Sequence, residues 1–296
     1  MRIVSLLPST TEILFAVGAG PQVVGVTFEC DTPAEARERT VVSTTAIPEG
    51  LPPQEIDAFV SRAVAAGEDL YHLDAGALSA LDADLVVTQD LCAVCAVDVS
   101  VVDDALSYLG CRAEVLTVDP HTLEEVLASV GTLGAASGCA DAAAALVAEL
   151  RGRLSAAEDA VRGAARPRAL VLEWTDPPFA PGHWVPEMVT AAGGTNALGD
   201  AGEKSVRVTW DAVRHSAPEV IVCAPCGYDL EGSTALAHEA IASGELPDAI
   251  PVWAVDANAS FARPGPRLVD GVEALAGILH PDRVPAPRAD MARRLR

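Results

Sequence analysis

Short apolar runs alternate with helical patterns along the first part of this chain. The runs Ile3–Leu7, Val23–Thr27 and Leu85–Thr88 have the length and β-branched content of buried strands. Between them, apolar residues in Pro53–Gly67 recur at the spacing of one buried helix face. Strands that alternate with helices in this way predict a parallel sheet covered on both faces.

The same alternation returns after Arg168. Ala169–Glu173, Val220–Cys223 and Val252–Asp256 are predicted strands, and Arg267–Leu279 is the last predicted helix. The residues between these two regions, from Thr122 to Ala165, are rich in Ala, Leu and Glu and carry no strand signal. We therefore predict two Rossmann-like α/β lobes with mostly parallel sheets, joined by a single long helix, with a ligand cleft between the lobes. The predicted boundaries are an N-terminal lobe over 1–120, a linking helix over 121–166, a C-terminal lobe over 167–282 and a loose tail over 283–296.

Charge and leader signals limit the partners of the chain. Forty-two acidic residues against 20 basic ones give a net charge of −22, which argues against binding to nucleic-acid backbones or anionic lipid. No stretch of about 20 apolar residues predicts a membrane span. The polar residues that follow Leu7 interrupt any secretory leader, and the seven cysteines form no disulfide framework. The sequence therefore predicts a cytoplasmic protein, unless a leader has been trimmed.

Motif searches argue against an enzyme. The chain contains no GxGxxG after a strand, no GxxxxGK[ST], no GxSxG and no HExxH. A thiol-dependent enzyme, with a cysteine nucleophile and His183 as base, stays open as an alternative.

Five segments in order, however, resemble a known family. They are "RIVSLLPSTTEILFAVGAGPQVVGVTFECDTPAEA", "LSALDADLVVT", "LEWTDPPFAPGHWVPEMVTAAGGTNAL", "VRVTWDAVRHSAPEVIVCAP" and "VDANASFARPGPRLVDGVEALAGIL". Together they resemble the substrate-binding proteins of ABC importers for cobalamin and iron-siderophores, most closely the cobalamin-binding sub-group. The resemblance implies two lobes bridged by one long helix, a small-molecule ligand in the cleft, and an ABC permease as partner.

The resemblance also implies a set of ligand-binding residues in the loops that follow the strands, where open α/β sheets bind ligands. Aromatic contact with a flat corrin ring is expected from five of them, Trp174, Phe179, Trp184, Tyr228 and Phe261. The other residues of the predicted set are Pro8, Ser9, Thr10, Glu29, Cys30, Gln89, Asp90, Ser260 and Arg263.

Permease docking in this family uses one acidic residue on each lobe. The matching second-lobe position is Asp211, whereas the first-lobe position falls at Gly76, with Asp74 as the nearest acid. One of the two acidic docking positions is therefore missing or moved, which argues against delivery of the ligand to an importer in the usual way. An intracellular carrier of the same ligand is the alternative.

Two Cys-x-x-Cys pairs lie at or just beyond the ends of predicted strands, Cys92 with Cys95 and Cys223 with Cys226. Three readings stay open: a site for Zn²⁺ or another soft metal that includes Cys92, Cys95 and Cys226, a reversible disulfide, or small buried residues at strand ends. A metal or metal-chelate ligand (siderophore or heme) held by these thiols is the alternative to a corrinoid.

One histidine and two arginines are also candidate ligand contacts. His183 is a candidate hydrogen-bond or metal ligand. Arg263 and Arg267 are candidates for an acidic group of the ligand, or else they pair with Asp256 or Glu273. The sequence thus predicts a binding protein for a large cofactor-like ligand, cobalamin or another corrinoid.

Overall fold

The computed structural model describes residues 1–68, 70–89 and 113–296. The chain divides into two compact units. Unit 1 comprises Met1–Pro120 and Leu127–Ala148, and unit 2 comprises His121–Val126 and Glu149–Arg296. Each unit contains a mostly parallel sheet with helices, which confirms the predicted α/β class.

The sheet of unit 1 has the strand order β3-β2-β1-β6-β7 within the described residues. Every pairing is parallel, and Ile3 on the central strand lies beside Val23 and Leu85. A separate antiparallel pair, β4 with β5, was not foreseen. The elements of unit 1 are β1 Ile3–Ser5, α1 Pro8–Ala16, β2 Val23–Val26, β3 Thr40–Val41, β4 Ser43–Thr45, α2 Pro53–Ala66, β5 Tyr71–Leu73, α3 Ala75–Ala80, β6 Leu85–Thr88 and β7 Glu114–Thr117.

Alternate residues of the central strand fill the two faces of this sheet. Ile3 packs with Val87 in one apolar cluster, whereas Val4 packs with Val86 in another. Successive side chains of a strand point to opposite faces, so a strand buried on both sides reads as a continuous apolar run. This is why the Ile3–Leu7 run predicted a buried strand.

Two consecutive helices stand where one long helix was predicted, α4 Leu123–Ala136 and α5 Ala140–Ala160. Gly138 separates them with a left-handed φ of 73°, and the N–H of Cys139 turns back to the carbonyl of Gly134 at 2.7 Å. Glycine adopts this conformation without a steric penalty and ends helices for that reason. Among the described residues no helix combines the length and apolarity needed to cross a lipid bilayer.

Unit 2 has a second sheet, of order β11-β8-β13-β14-β15 within the described residues. Its pairings are parallel except the last, where Ala292–Arg294 runs antiparallel to β14. The prediction of a loose tail is therefore wrong at this point, because Met291 and Ala292 are buried and the final residues extend the sheet. The elements are β8 Arg168–Leu172, β9 Trp174–Thr175, β10 Pro178–Ala180, α6 Val185–Ala191, β11 Thr195–Asn196, β12 Val206–Arg207, α7 Trp210–His215, β13 Val220–Cys223, α8 Leu230–Ala242, β14 Val252–Val255, α9 Ala257–Ser260, α10 Leu268–Leu279 and β15 Ala292–Arg294.

Candidate functional site

Each parallel sheet has a point where the strand order reverses direction. In unit 1 the chain leaves β1 for β2 on one side and returns to β6 on the other, and in unit 2 it leaves β8 for β11 and returns to β13. Ligands of open α/β sheets bind beyond the carboxyl ends of the strands at such switch points. In unit 2 the residues that follow β8 and β13 are therefore the first to consider.

Trp174 and Tyr228 occupy the switch point of unit 2. Trp174 follows β8, Tyr228 lies in the loop after β13, and their ring centroids are 5.7 Å apart with planes at 56°. The indole N–H of Trp174 donates to the carbonyl of Asp176 at 3.1 Å, which fixes the ring on its hairpin. Both rings are half-buried, and burial followed by the charge of Glu239 raises the pKa of the Tyr228 phenol. Two tilted, part-exposed aromatic rings are suited to apolar contact with a flat ligand.

The hairpin β9–β10 carries a third predicted aromatic residue, Phe179. Phe179 pairs with Trp174 on one side and with Arg207 of β12 on the other. The Arg207 guanidinium lies over the Phe179 ring, 5.8 Å from its centroid. This hairpin and its third strand were not predicted, because two- and three-residue strands leave no periodicity to detect.

Three residues of the predicted set lie in the core of unit 2 instead. Trp184 and Phe261 are 5% and 2% exposed, and the Trp184 indole donates to the Phe261 carbonyl at 2.7 Å. Ser260 is buried, and its hydroxyl bonds the Asp256 carbonyl at 2.9 Å. Their side chains pack against neighbouring residues in this structure, and their contact with a ligand stays a prediction.

Arg263 is also buried, at 8% exposure. Burial raises the pKa of Asp256, and the charges of Arg267 and Arg263 act in the opposite direction. Both arginines therefore lie in the electrostatic environment of Asp256, in agreement with the structural alternative considered for them.

His183 lies in the turn between β10 and α6 with a left-handed φ of 49°. Its ring is 5.8 Å from that of His121 and 5.5 Å from that of Trp184. The Nε2 atom is buried and has no hydrogen-bond partner among the described residues. Burial, with the charges of His121 and Lys204, lowers the pKa of His183, so the imidazole is neutral at pH 7.

In unit 1 the residues after β1 form a buried network of hydroxyl groups and one thiol. Thr10 contacts the hydroxyl of Ser5 at 2.7 Å, and Thr11 contacts the same hydroxyl at 2.8 Å. The Cys30 thiol lies 3.1 Å from the hydroxyls of both Thr11 and Thr27. Ser9, Thr10 and Cys30 are all less than 5% exposed, whereas Pro8 is half-buried. The network joins α1 to the end of β2, which gives Cys30 a structural role.

Glu29 and Gln89 follow β2 and β6. The Glu29 carboxylate accepts a long hydrogen bond, 3.4 Å, from the hydroxyl of Tyr71, and Gln89 is buried. Sequence reasoning missed the ring beside Glu29, that of Phe28, which is 42% exposed and 6.2 Å from the Tyr71 ring. Its position directly after a strand was the signal that could have identified it.

The cysteines that the structure describes range from buried to exposed. Cys223 ends β13 inside the core, and burial raises the pKa of its thiol to about 12. Cys226 is exposed. Asp90, Cys92 and Cys95 lie outside the described residues, as does the predicted helix 99–109. Within residues 1–68, 70–89 and 113–296, no group of three or more His, Cys, Asp or Glu side chains is arranged to hold a metal ion.

Asp211 lies on α7 with its side chain 77% exposed. Its carboxylate accepts from Arg214 at 2.6 Å, and this hydrogen bond lowers the pKa of Asp211. Arg214 also binds Glu245 at 2.6 Å. In unit 1, Asp74 caps α3 by accepting from the N–H of Ala77 at 2.9 Å.

A parallel α/β architecture with aromatic rings at a switch point offers a surface for ligand binding but specifies no particular chemistry. The chain belongs to the periplasmic binding protein family, whose profile matches residues 3–246. A relative from Bacillus subtilis (strain 168), described as the uncharacterized ABC transporter substrate-binding lipoprotein YvrC, is 27% identical over 292 residues, covering 95% of this chain and 80% of that protein.

Solved structures agree with this assignment at the level of the fold. A periplasmic heme-binding protein from Pseudomonas aeruginosa superposes with a TM-score of 0.70 at 20% identity, covering 98% of this chain and 96% of that one. The periplasmic vitamin B12 binding protein BtuF of Vibrio cholerae gives a TM-score of 0.64 at 22% identity, covering 94% and 96%.

These similarities correct one prediction and agree with another. The prediction of a cytoplasmic protein is wrong, because the family is one of periplasmic proteins and the curated relative is a lipoprotein. The intracellular-carrier alternative fails with it. The family is one of binding proteins, which agrees with the predicted binding function over the thiol-dependent enzyme.

Proposed function

We propose that this protein captures a large, flat, cofactor-like ligand, a corrinoid such as cobalamin, outside the cytoplasm and supplies it to an ABC permease. The similarity to a substrate-binding lipoprotein and to a vitamin B12 binding protein supports the proposal. The single observation that carries it is the tilted Trp174–Tyr228 pair at the switch point of unit 2. A part-exposed aromatic pair binds a macrocycle through apolar contact and needs no charge from the protein.

The rival ligand is heme, which the similar Pseudomonas aeruginosa protein binds. Both ligands are flat and coloured, so one experiment separates them. Purified protein is titrated with cyanocobalamin, with hemin and with a ferric hydroxamate, and bound ligand is measured by equilibrium dialysis with visible absorption. We expect saturable binding of one cyanocobalamin per chain, and tight hemin binding without cyanocobalamin binding would assign the ligand to heme instead.

Substitution of the two rings tests the site itself. Trp174→Ala and Tyr228→Ala are each expected to weaken cyanocobalamin binding about tenfold, because an aromatic contact contributes about 1.5 kcal/mol. Trp253→Phe is the matched control, since Trp253 lies within β14 and pairs in register with Arg294. Unchanged affinity in both alanine variants would show that the ligand does not bind at the Trp174–Tyr228 pair.

We propose further that Asp211 contacts the permease. It is an exposed acid on α7, and the surrounding Arg214 and Glu245 make a charged surface. In proteoliposomes that contain a cobalamin-type ABC permease, Asp211→Lys should reduce cyanocobalamin uptake and leave ligand binding unchanged. Glu231→Lys is the control, because Glu231 is equally exposed and also paired with an arginine. An equal loss in both variants would argue against a specific contact.

A further inference from the structure

Glu173 directly precedes Trp174 in the chain and carries a half-buried carboxylate. Oε1 accepts the backbone N–H of Gly182 at 3.2 Å, and Oε2 accepts the hydroxyl of Ser205. A carboxylate at the end of a buried strand costs free energy unless hydrogen bonds compensate its lost hydration. The Gly182 N–H and the Ser205 hydroxyl both contribute to this compensation.

The main chain of Glu173 contacts both segments that carry the rings. Its N–H donates to the Phe179 carbonyl at 3.2 Å, which closes the hairpin that holds Trp174. Its carbonyl accepts from the N–H of Cys226 at 3.1 Å, two residues before Tyr228. One residue therefore connects the two strand ends from which the rings project.

The segments that carry the two donors, at Gly182 and at Ser205, are tightly packed against each other. A Cβ on Gly182 would lie 2.4 Å from both the Glu203 carbonyl oxygen and the Ser205 nitrogen. The N–H of His183 donates to the same Glu203 carbonyl at 2.6 Å. Residues 203–205 thus lie directly against residues 182–183, and the Glu173 side chain bonds to both stretches.

We propose that Glu173 is a positioning residue for ligand binding: its carboxylate, fastened to Gly182 and Ser205, sets the angle of Trp174 relative to Tyr228. The inference rests on the proposed function in one respect, that the ring pair is the surface that the ligand contacts. The positioning itself is a property of the ligand-free protein and can be measured without ligand.

The variants are Glu173→Ala, Glu173→Gln and Ser205→Ala, with Glu219→Ala as the matched control. Glu219 lies next to the opposite end of the same strand, where its Oε2 accepts the N–H of Arg168 at 2.8 Å. Both carboxylates therefore bind a backbone N–H near β8, but only Glu173 adjoins the rings. Glutamine keeps the shape of the side chain and one acceptor oxygen, so Glu173→Gln is expected to keep most of the wild-type positioning of Trp174.

The ligand-free measurement is the fluorescence of Trp174, defined as the difference between the wild-type protein and Trp174→Phe, together with its quenching by acrylamide. We expect Glu173→Ala to shift this contribution to longer wavelength and to increase its quenching, with a smaller change in Ser205→Ala. Glu173→Gln and Glu219→Ala should resemble the wild-type protein. The proposal would be overturned if Trp174 in Glu173→Ala kept the emission wavelength and the acrylamide quenching that it has in the wild-type protein.

The second measurement is cyanocobalamin affinity at matched thermal stability. Glu173→Ala is expected to weaken binding about fivefold, the effect of about one net hydrogen bond, whereas Glu219→Ala leaves it unchanged. Equal weakening in both would make Glu173 merely structural and overturn its positioning role. If the wild-type protein binds no cyanocobalamin, the proposed ligand fails, and the Trp174 fluorescence alone decides the positioning.

Discussion

Arg153 of α5 and Glu273 of α10 form a two-pronged ion pair within unit 2. Nε lies 3.0 Å from Oε1 and Nη2 lies 2.7 Å from Oε2, and Asp270 accepts a further bond from Nη2. The hydrogen bond with Glu273 is the main reason that the pKa of Arg153 is raised, against an opposing effect of burial. The sequence had suggested Arg263 or Arg267 as partners of Glu273. The partner is instead 120 residues away in the chain.

The first prediction concerns this pair. Arg153→Ala should lower the free energy of unfolding by about 1 kcal/mol, since bidentate geometry strengthens the pair and partial exposure weakens it. Arg153→Lys should lose much of the same amount, because an ammonium group cannot make both bonds in one plane. The measurement is the midpoint of urea unfolding at low and high NaCl.

Arg151→Ala is the control, because the Arg151–Glu124 pair is more exposed, at 55% and 69% of the two side chains. It should lower the free energy of unfolding by less than about 0.5 kcal/mol. An Arg153→Ala midpoint equal to that of Arg151→Ala would show that the two-pronged geometry adds nothing.

Most of the sheet could be predicted because buried strands leave continuous apolar runs. Ile3–Ser5, Leu85–Thr88 and Val220–Cys223 are all found within such runs. The pattern fails where an element is too short to show a period, as with β9 and β10, or where a charged strand packs at an edge, as with Ala292–Arg294. Propensity alone also could not decide whether Gly138 would end a helix, since glycine is tolerated inside helices at modest cost.

The candidate site was less predictable than the fold for a physical reason. A position after a strand tells where a residue lies along the chain, but not which way its side chain points. Trp174 and Trp184 lie in the same quoted segment, yet Trp174 is half-buried beside Tyr228 whereas Trp184 is enclosed in the core. Tertiary packing decides between these outcomes, and no local pattern records it.

The second prediction concerns the close approach at Gly182. Gly182→Ala should destabilise the protein by about 2 kcal/mol or more, because the Cβ meets backbone atoms of Glu203 and Ser205 that cannot yield as a flexible side chain would. Gly152→Ala, within α5, meets nothing within 4 Å and should stabilise by about 0.5–1 kcal/mol. Thermal unfolding followed by circular dichroism compares the two. Gly182→Ala with an unchanged midpoint would contradict the close packing.

The third prediction separates two cysteines that stand three positions apart. Cys226 is exposed and should react with iodoacetamide at pH 8 within minutes, while Cys223 stays unmodified in the folded protein. The reason is that only the thiolate reacts, and burial raises the pKa of Cys223 to about 12. Peptide mass spectrometry measures the modification of each.

Two controls accompany this experiment. Cys226→Ser should remove the fast-reacting peptide, and urea should make Cys223 react as an ordinary thiol. Fast modification of Cys223 in native protein would show that the end of β13 opens readily to solvent.

The fourth prediction follows from the neutral imidazole of His183. The pKa of His183 is lowered in the folded protein by burial and by the charges of His121 and Lys204, while in the unfolded chain its pKa is about 6.5. As pH falls below that value the unfolded state takes up a proton that the folded state does not. Stability is therefore unaffected above about pH 7 and decreases from pH 6.5 downward until the folded pKa is reached, with a slope of up to about 1.4 kcal/mol per pH unit.

His183→Asn isolates this contribution, since asparagine tolerates the left-handed φ of 49° at this position. Urea unfolding between pH 5 and 8 should give a shallower decrease for His183→Asn than for the wild-type protein. His121→Gln, which removes the neighbouring imidazole, should give an intermediate slope because the pKa of His183 then rises toward its ordinary value. Parallel curves for all three proteins would mean that His183 is protonated as easily in the folded state as in the unfolded chain.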